Sequence, residues 1–453
     1  MSNQPPPRSL GLWLLTALVA GNMIGSGVFL LPSSLADIGT IGIISWIITA
    51  IGAILLALVF AQLSILIPKV GGPYAYCREG FGDFVGFQIA YNYWIAIWIG
   101  NAAIVVALIS YLSEFWPALQ VNHVLSYLVA IGIVWFLTFI NIISIHQAGV
   151  WQLVTTIIKL LPLLFIAFVG IFFIHSHLLT QNFNVSGHSN FSALLTAATL
   201  TLWSFVGLES ATIPAEAVKN PARTIPRATI IGTVIAAVIY ILSTTAVMGI
   251  INTHVLANSH APYADAARML FGKWAGIAVS IGAIISCFGA LNGWILLQGQ
   301  VPYAAALDGL FPKSFAKETR SGTPVVGLIV SSCCISILLL LTLHQVLVKQ
   351  FTLIILLATL AELIPYFFTA MAELIILFRR RPQFSPRRFF LSVAVAIFAG
   401  IYAFWAIAGS GVDTIYYGAL LFFSSVPVFV WQKWRTLPSR QSLNFSQELK
   451  VEP

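Results

Sequence analysis

A glycine-rich interruption lies in the middle of the first hydrophobic segment, at Gly21–Phe29, which reads GNMIGSGVF. Each glycine inside a helix costs up to about 1 kcal/mol relative to alanine, and irregular backbone survives in hydrocarbon only where it is buried in protein or lines a cavity. Free N–H groups around Ser26, Gly27 and Val28 would form a helix N-terminus that can hold a carboxylate. Freed carbonyls near Asn22 and Met23 would accept from an ammonium. The segment therefore predicts a binding site for a small zwitterion.

A second interruption lies at 203–210, which reads WSFVGLES. Gly207 loosens the helix, and carbonyls freed around Trp203 and Val206 are further acceptors for an α-ammonium. Glu209 places an ionisable group near mid-membrane, where a carboxylate is costly and by default marks function, here proton exchange. The two interruptions together predict one site assembled from two broken helices.

Plainer interpretations stay open for several of these residues. Gly21 and Gly25 could form a GxxxG packing face, and Glu209 could make a structural hydrogen bond to a neighbouring helix. Lys159 lies too deep in its hydrophobic segment to snorkel. It could replace a coupling sodium ion, release a proton or bridge two helices. Glu362 could face the cavity and attract a cation, or pair with Lys159 or a backbone donor.

Aromatic side chains are candidate partners for a cationic substrate. Trp203 and Trp294 occupy mid-segment positions, and Tyr93 shares a segment with Asn101. An indole face holds a guanidinium or an ammonium by a cation–π contact worth about 2 kcal/mol when desolvated. For any one of these aromatics taken alone, packing against helices or lipid is the better interpretation.

The composition is typical of a membrane-embedded chain. Of the 453 residues, 59% are hydrophobic and 8% are charged, and the mean hydropathy is +0.94, whereas soluble domains carry about 25% charged residues. The net charge of +8 belongs to basic residues in short loops, which indicates topology and no nucleic-acid partner. The four cysteines lack metal-ligand spacing, so no metal and no cofactor are expected. Neither the clustered histidines or acids of an enzyme nor the continuous polar ring of a channel is found.

A bilayer-spanning helix needs about 20 apolar residues, and on that rule the chain contains twelve spans within a single transporter domain at 11–432. A cytoplasmic N-terminus at 1–10 and a polar cytoplasmic tail at 433–453 flank this domain. We number the segments span 1 to span 12, and they run at 11–34, 40–67, 83–112, 124–145, 148–174, 191–215, 226–252, 274–305, 323–344, 349–378, 389–410 and 412–432.

The distribution of Lys and Arg predicts the orientation. Of 22 such residues, only Arg268, Lys273 and Lys349 fall in the predicted outer loops, and Lys159 lies within span 5. The others lie on the side that is therefore expected to be cytoplasmic, together with both termini.

Spans 1 and 6 cross the membrane in opposite directions because they are five spans apart. Matching interruptions in two halves of opposite polarity are the signature of an inverted-repeat secondary transporter with its site near the midplane. The sequence therefore predicts an all-α integral membrane protein with broken spans 1 and 6.

Five motifs spread over the chain carry a family resemblance. They are GNMIGSGVFLLP at 21–32, GGPYAY at 71–76, YWIAIWIGN at 93–101, LWSFVGLES at 202–210 and KNPARTIP at 219–226. On these the chain resembles the amino acid–polyamine–organocation (APC) superfamily and, within it, the bacterial basic amino acid/polyamine antiporters, above all the exchangers of arginine and agmatine. The resemblance implies a LeuT-like fold with a five-plus-five inverted repeat, at about 11–174 and 191–378. Two extra helices at about 389–432 and assembly as a homodimer are implied as well.

The resemblance also implies a role for each part of the site. Ser26 and Gly27 are implied for the carboxylate, and the carbonyls of Met23, Trp203 and Val206, beside Asn22, for the α-amine. The distal cationic end is implied to meet Trp294, Asn101 and Ala96. Trp203 is implied as a gate, and Tyr93 with Glu209 as a proton-sensitive network.

Four positions depart from the pattern of the arginine/agmatine exchangers. Ile97, Ile104 and Ala358 stand where those exchangers have cysteine, methionine and serine, which removes polar partners for a guanidinium from the distal pocket. Lys159 is absent from those exchangers and resembles the lysine of proton-coupled relatives.

These observations predict a secondary transporter in the cytoplasmic (inner) membrane of a bacterium, and not an enzyme. It is expected to exchange a cationic, arginine-like amino acid for its decarboxylated amine by alternating access, which would export one proton equivalent per cycle and support acid resistance. A proton-coupled amino acid symporter of broader specificity, favoured by Lys159, is the alternative, and a nutrient receptor on the same fold stays open. The expected partners are a small amino acid or amine, the lipid bilayer and a second copy of the chain.

Overall fold

Helices make up most of the described chain. The computed structural model describes residues 11–68, 71–143, 160–212, 218–319 and 322–436. Within these residues, ten helices are long and apolar enough to cross a membrane, and two shorter apolar helices occupy the positions of spans 5 and 9. The bounds of spans 1 to 12 are Leu12–Ala36, Ile41–Leu66, Asp83–Leu112, His123–Ile143, Leu160–Phe173, Asn190–Thr212, Pro221–Ile250, Lys273–Leu307, Val325–Leu341, Leu347–Arg379, Pro386–Ala408 and Val412–Trp434.

Most of the predicted ends differ from the structure by only a few residues. Span 7 was predicted from 226 but begins at Pro221 and carries Pro226 within it. Proline fits the first helical position because its missing N–H has no intrahelical partner there. Lys159 lies outside the described residues, so its predicted role in proton coupling stays a prediction.

Span 1 is interrupted as predicted. It consists of the helices Leu12–Met23 and Ser26–Ala36, joined through Ile24 and Gly25. Ile24 has an extended backbone, with φ −81° and ψ 90°. A Cβ on Gly25 would lie 3.1 Å from the Ala290 Cβ of span 8, so a larger residue would press against that helix.

Span 6 is interrupted as well. The helix Asn190–Leu202 is followed by a 3₁₀ turn at Trp203–Phe205 and, after a bend, by a second 3₁₀ stretch at Leu208–Thr212. Gly207 forms the bend with φ +106°, a conformation that L side chains rarely adopt. The backbone groups freed on either side of this glycine lie in the interior of the protein.

The interrupted span 1 and the long span 3 form the centre of the bundle. Within the most hydrophobic 18-residue stretch of each span, 83% of the residues are buried in span 1 and 89% in span 3, against 11% in span 12. Span 3 packs along spans 8 and 10, and span 2 packs along span 7 and the helical part of span 6. Span 12 therefore lies at the periphery, and the two interruptions meet in the interior.

Spans 8 and 9 approach each other so closely that two glycines are required. A Cβ on Gly327 would lie 3.0 Å from both the Cα and the carbonyl oxygen of Gly299. These are backbone atoms, which cannot rotate away as a side chain can. Small residues at such crossings let membrane helices gain van der Waals contact along their backbones.

We expect Gly327→Ala to lower the stability of the protein by about 1–3 kcal/mol, the usual cost of overpacking. Thermal unfolding of the purified protein in detergent measures the effect. Gly132→Ala is the matched control, because a Cβ at Gly132 meets none of the described residues within 4 Å and alanine is the better helix former. Equal melting temperatures for the two variants would contradict the close crossing.

Candidate functional site

A small cavity of about 20 Å³ lies where the two interruptions meet. That is room for about one water molecule, so a larger solute requires the walls to move apart. Spans 1, 3, 6, 8 and 10 all contribute to its wall. The residues that line it are Asn22, Met23, Gly25, Ser26, Gly27, Ala96, Ile97, Gly100, Ile104, Trp203, Val206, Trp294, Ala358 and Glu362. All of the predicted substrate-binding residues except Asn101 are therefore brought together around one space.

Direct hydrogen bonds join the two interruptions. The Asn22 side-chain amide donates to the Ser210 hydroxyl over 3.0 Å, and that hydroxyl donates to the carbonyl of Gly207. The Trp294 indole N–H donates to the Asn22 carbonyl over 3.3 Å. A Cβ on Gly207 would come within 3.1 Å of the Trp294 ring and 3.3 Å of Asn22. Glycine is therefore required at this position both by the positive φ angle and by the close approach of Trp294 and Asn22.

The second half of span 1 presents its N-terminus at the cavity. Ser26 is the first helical residue, and Gly25 before it provides no side-chain cap. The Ser26 hydroxyl is buried without a hydrogen-bond partner among the described residues. The first N–H groups of a helix lack intrahelical acceptors and carry the positive end of the helix dipole. This end of the cavity can therefore accept a carboxylate.

The indole of Trp203 fits between two glycines. A Cβ on Gly27 would lie 3.0 Å from Trp203 Cδ1, and a Cβ on Gly100 would lie 2.8 Å from Trp203 Cη2. The Trp203 side chain is 7% exposed, and its indole N–H has no partner in the described part of the chain. The ring therefore forms a wall of the cavity that only small neighbours on spans 1 and 3 permit.

Glu209 lies behind the cavity wall and has two tyrosine partners. Tyr93 donates to Glu209 Oε1 over 2.7 Å, and Tyr366 donates to Glu209 Oε2 over 2.6 Å. The residue is fully buried. The pair of Tyr93 and Glu209 was predicted, whereas Tyr366 was missed, although it lies one helical turn beyond Glu362 on span 10. The three side chains join spans 3, 6 and 10.

Asn101 does not line the cavity. Its amide donates to Gln298 Oε1 over 2.7 Å, and the Gln298 amide donates to the Ser332 hydroxyl over 3.1 Å. A helix turns by about 100° per residue, so Gly100 and Asn101 lie on different faces of span 3. When Gly100 faces the cavity, Asn101 faces span 8. In this conformation Asn101 belongs to a polar network among spans 3, 8 and 9.

The described residues contain no group of His, Cys, Asp and Glu side chains that could hold a metal ion. The cavity instead has polar backbone at one end and mostly apolar side chains at the other. Such an arrangement can bind an organic solute with a carboxylate or amine at one end and an aliphatic stem.

Two opposed broken helices around an interior cavity are characteristic of LeuT-like secondary transporters. The solved structure of Mhp1, a nucleobase-cation-symport-1 family transporter in a closed conformation with bromovinylhydantoin bound, has a similar fold. It aligns with a TM-score of 0.55 over 97% of this chain and 98% of that chain, at 16% sequence identity. The protein is thus an all-helical membrane protein with a LeuT-like fold.

Residues 10–437 match the family described as amino acid permease. The chain therefore belongs to the amino acid permease family of the APC superfamily, a family of transporters and not of enzymes. It is 40% identical to the cadaverine/lysine antiporter of Escherichia coli (strain K12) over 338 residues, which cover 74% of this chain and 75% of that protein. It is 34% identical to the putrescine transporter PotE of Haemophilus influenzae over 416 residues, which cover 92% of this chain and 95% of that protein.

We expect Tyr366→Phe to destabilise the protein by about 1–3 kcal/mol, because the buried Glu209 carboxylate loses a hydrogen-bond donor that water cannot replace. Thermal unfolding in detergent measures this change. Tyr240→Phe is the control, since the Tyr240 hydroxyl is buried without a partner among the described residues. A Tyr366→Phe melting temperature equal to that of Tyr240→Phe would argue against the hydrogen bond.

Proposed function

We propose that this protein exchanges a cationic amino acid for its decarboxylated amine by alternating access. The observation that carries the proposal is the cavity between the two interruptions, where the uncapped N-terminus of the second half of span 1 lies beside mostly apolar side chains. Family membership and the two antiporter and transporter relatives support the same function.

The two ends of the substrate would meet different chemistry. The carboxylate would bind the N–H groups at Ser26 and Gly27, where the helix dipole favours an anion. The α-ammonium would bind carbonyl oxygens at Met23, Trp203 and Val206. Trp203 would cover the bound solute as a gate. A decarboxylated amine would use the same carbonyls and leave the helix N-terminus without a ligand.

The distal end of the cavity favours an aliphatic stem with a compact cation. Ile97, Ile104 and Ala358 line it, and none of them can hydrogen-bond a guanidinium through its side chain. A guanidinium has five donors in a fixed fork, whereas an ammonium is a compact point charge. The indole of Trp294 can contact either cation through its π face. We therefore place lysine with cadaverine, and ornithine with putrescine, before arginine with agmatine.

The exchange would carry charge and consume acid. An amino acid such as lysine carries one net positive charge and its amine carries two, so each cycle would move one positive charge outward. Since decarboxylation consumes a proton inside the cell, each cycle would export one proton equivalent and support acid resistance. We also propose both termini on the cytoplasmic side of a bacterial inner membrane, from the Lys and Arg distribution, and assembly as a homodimer.

Counterflow in proteoliposomes tests the exchange. Vesicles preloaded with cadaverine are expected to take up labelled lysine, and empty vesicles are not, because an exchanger returns only when loaded. The same assay is run with ornithine outside putrescine-loaded vesicles and with arginine outside agmatine-loaded vesicles. The uptake rates then rank the three pairs. Accumulation of lysine by empty vesicles under an imposed proton gradient would contradict exchange and support the alternative, a proton-coupled symporter.

Glu209→Gln is expected to flatten the dependence of exchange on pH, because the variant keeps the shape of the side chain and loses its titratable carboxyl. Initial rates of counterflow measured from mildly acidic to neutral pH follow the change. Glu373→Gln is the control: Glu373 is a buried acid of span 10 that does not line the cavity. A wild-type pH profile in Glu209→Gln would remove Glu209 from the coupling role.

A further inference from the structure

Glu362 combines burial, a place in the cavity wall and an unused hydrogen-bond acceptor. It is 1% exposed, it lines the cavity beside Ala358, one turn earlier on span 10, and its Oε1 has no hydrogen-bond partner among the described residues. A buried carboxylate is costly unless a donor or a cation is provided. The described surroundings of this side chain therefore lack a donor or a cation for Glu362 Oε1.

The neighbouring groups cannot provide the missing charge. The side chains that interact with Glu362 are Glu209, Tyr93 and Tyr366, and the Tyr366 phenol is a hydrogen-bond partner of Glu362. Both carboxylate oxygens of Glu209 already accept a hydrogen bond from a tyrosine. No Lys, Arg or His occurs among the described residues that line the cavity. A cationic solute can provide that charge.

We infer that Glu362 binds the distal ammonium of the substrate and selects solutes with a primary amine at the end of an aliphatic stem. This inference rests on the proposed function and extends it to a specificity-determining residue. The distal ammonium is common to a basic amino acid and the amine made from it, whereas the α-carboxylate is not. One carboxylate could therefore hold both partners of the exchange.

The surroundings of Glu362 favour an ammonium over a guanidinium. A guanidinium is best matched by a bidentate carboxylate or by several acceptors around its plane. Here Ile97 on span 3 and Ala358 on span 10 line the same cavity, and their side chains offer no acceptor. A compact ammonium needs less space and tolerates contact through a single carboxylate oxygen.

Equilibrium binding to the purified full-length protein in detergent tests the role of Glu362. Lysine is compared with norleucine, which lacks only the distal amine, and cadaverine with 1-aminopentane. Glu362→Gln is expected to weaken lysine and cadaverine binding by about ten- to hundredfold, the usual effect of losing a charged hydrogen-bond partner. Norleucine and 1-aminopentane should bind as they do to the wild type, which also shows that the variant is folded.

Glu373→Gln is the matched control for this experiment. Glu373 lies on the same helix, is also 1% exposed and also has a carboxylate oxygen, Oε2, without a partner among the described residues, but it does not line the cavity. The control is expected to keep the preference of the wild type for lysine over norleucine. Equal losses in Glu373→Gln and Glu362→Gln would overturn the inference.

Glu362→Asp gives a second readout that a merely structural role would not produce. Shortening the acid by one methylene while keeping its charge is expected to move the preference among diamines from cadaverine toward 1,6-diaminohexane. An unchanged lysine-to-norleucine ratio in Glu362→Gln, or equal losses of both ligands as expected if Glu362 paired with Lys159, would overturn the inference. A wild type that prefers lysine but shows no counterflow would overturn the proposed exchange and leave the role of Glu362 standing.

Discussion

The absence of water from the bilayer core is the constraint on which the rest of this structure depends. Backbone groups released by the breaks in spans 1 and 6 cannot be satisfied by solvent at that depth, so they must meet protein or a cavity. The two breaks consequently lie together in the interior, where the Asn22 amide donates to Ser210 and the Trp294 indole donates to the Asn22 carbonyl. The remaining groups border the cavity, where a polar solute can satisfy them.

Small residues decide how closely the walls of the cavity approach one another. Gly27 and Gly100 leave room for the Trp203 indole, and Gly207 leaves room for Trp294. Each of these contacts joins residues from different spans, and none would survive a Cβ without displacement of a ring or a helix. Glycines that weaken isolated helices thus stabilise the assembled bundle, because they permit close contact where no hydrophobic driving force between helices exists.

Charges are distributed differently at the centre and at the ends of the bundle. In the interior, Glu209 is satisfied by two phenols, whereas one oxygen of Glu362, beside the cavity, has no partner among the described residues. At one end Arg78 pairs with Asp83 and Asp308, and at the other Arg268 pairs with Asp265 and Glu114. These outer pairs are partly exposed, so each contributes about 0–1 kcal/mol. Weak contacts at the ends suit a transporter whose ends open in turn, while the strongly constrained charges stay at the site.

The sequence alone determined the twelve spans and both interruptions, because length, hydropathy and helix-breaking glycines are local properties of the chain. It also predicted most of the residues that line the cavity, since the motifs around Gly25 and around Gly207 are each continuous stretches of sequence. Only the tertiary structure decided that Tyr366 is the second partner of Glu209 and that Asn101 turns to Gln298. It also decided that one oxygen of Glu362 has no partner in the described part of the chain. The physical reason is that these spans are apolar on nearly every face, so no polar stripe indicates which side of each helix faces inward. Partners 157 residues apart are fixed only when the helices pack and each adopts one rotation about its axis.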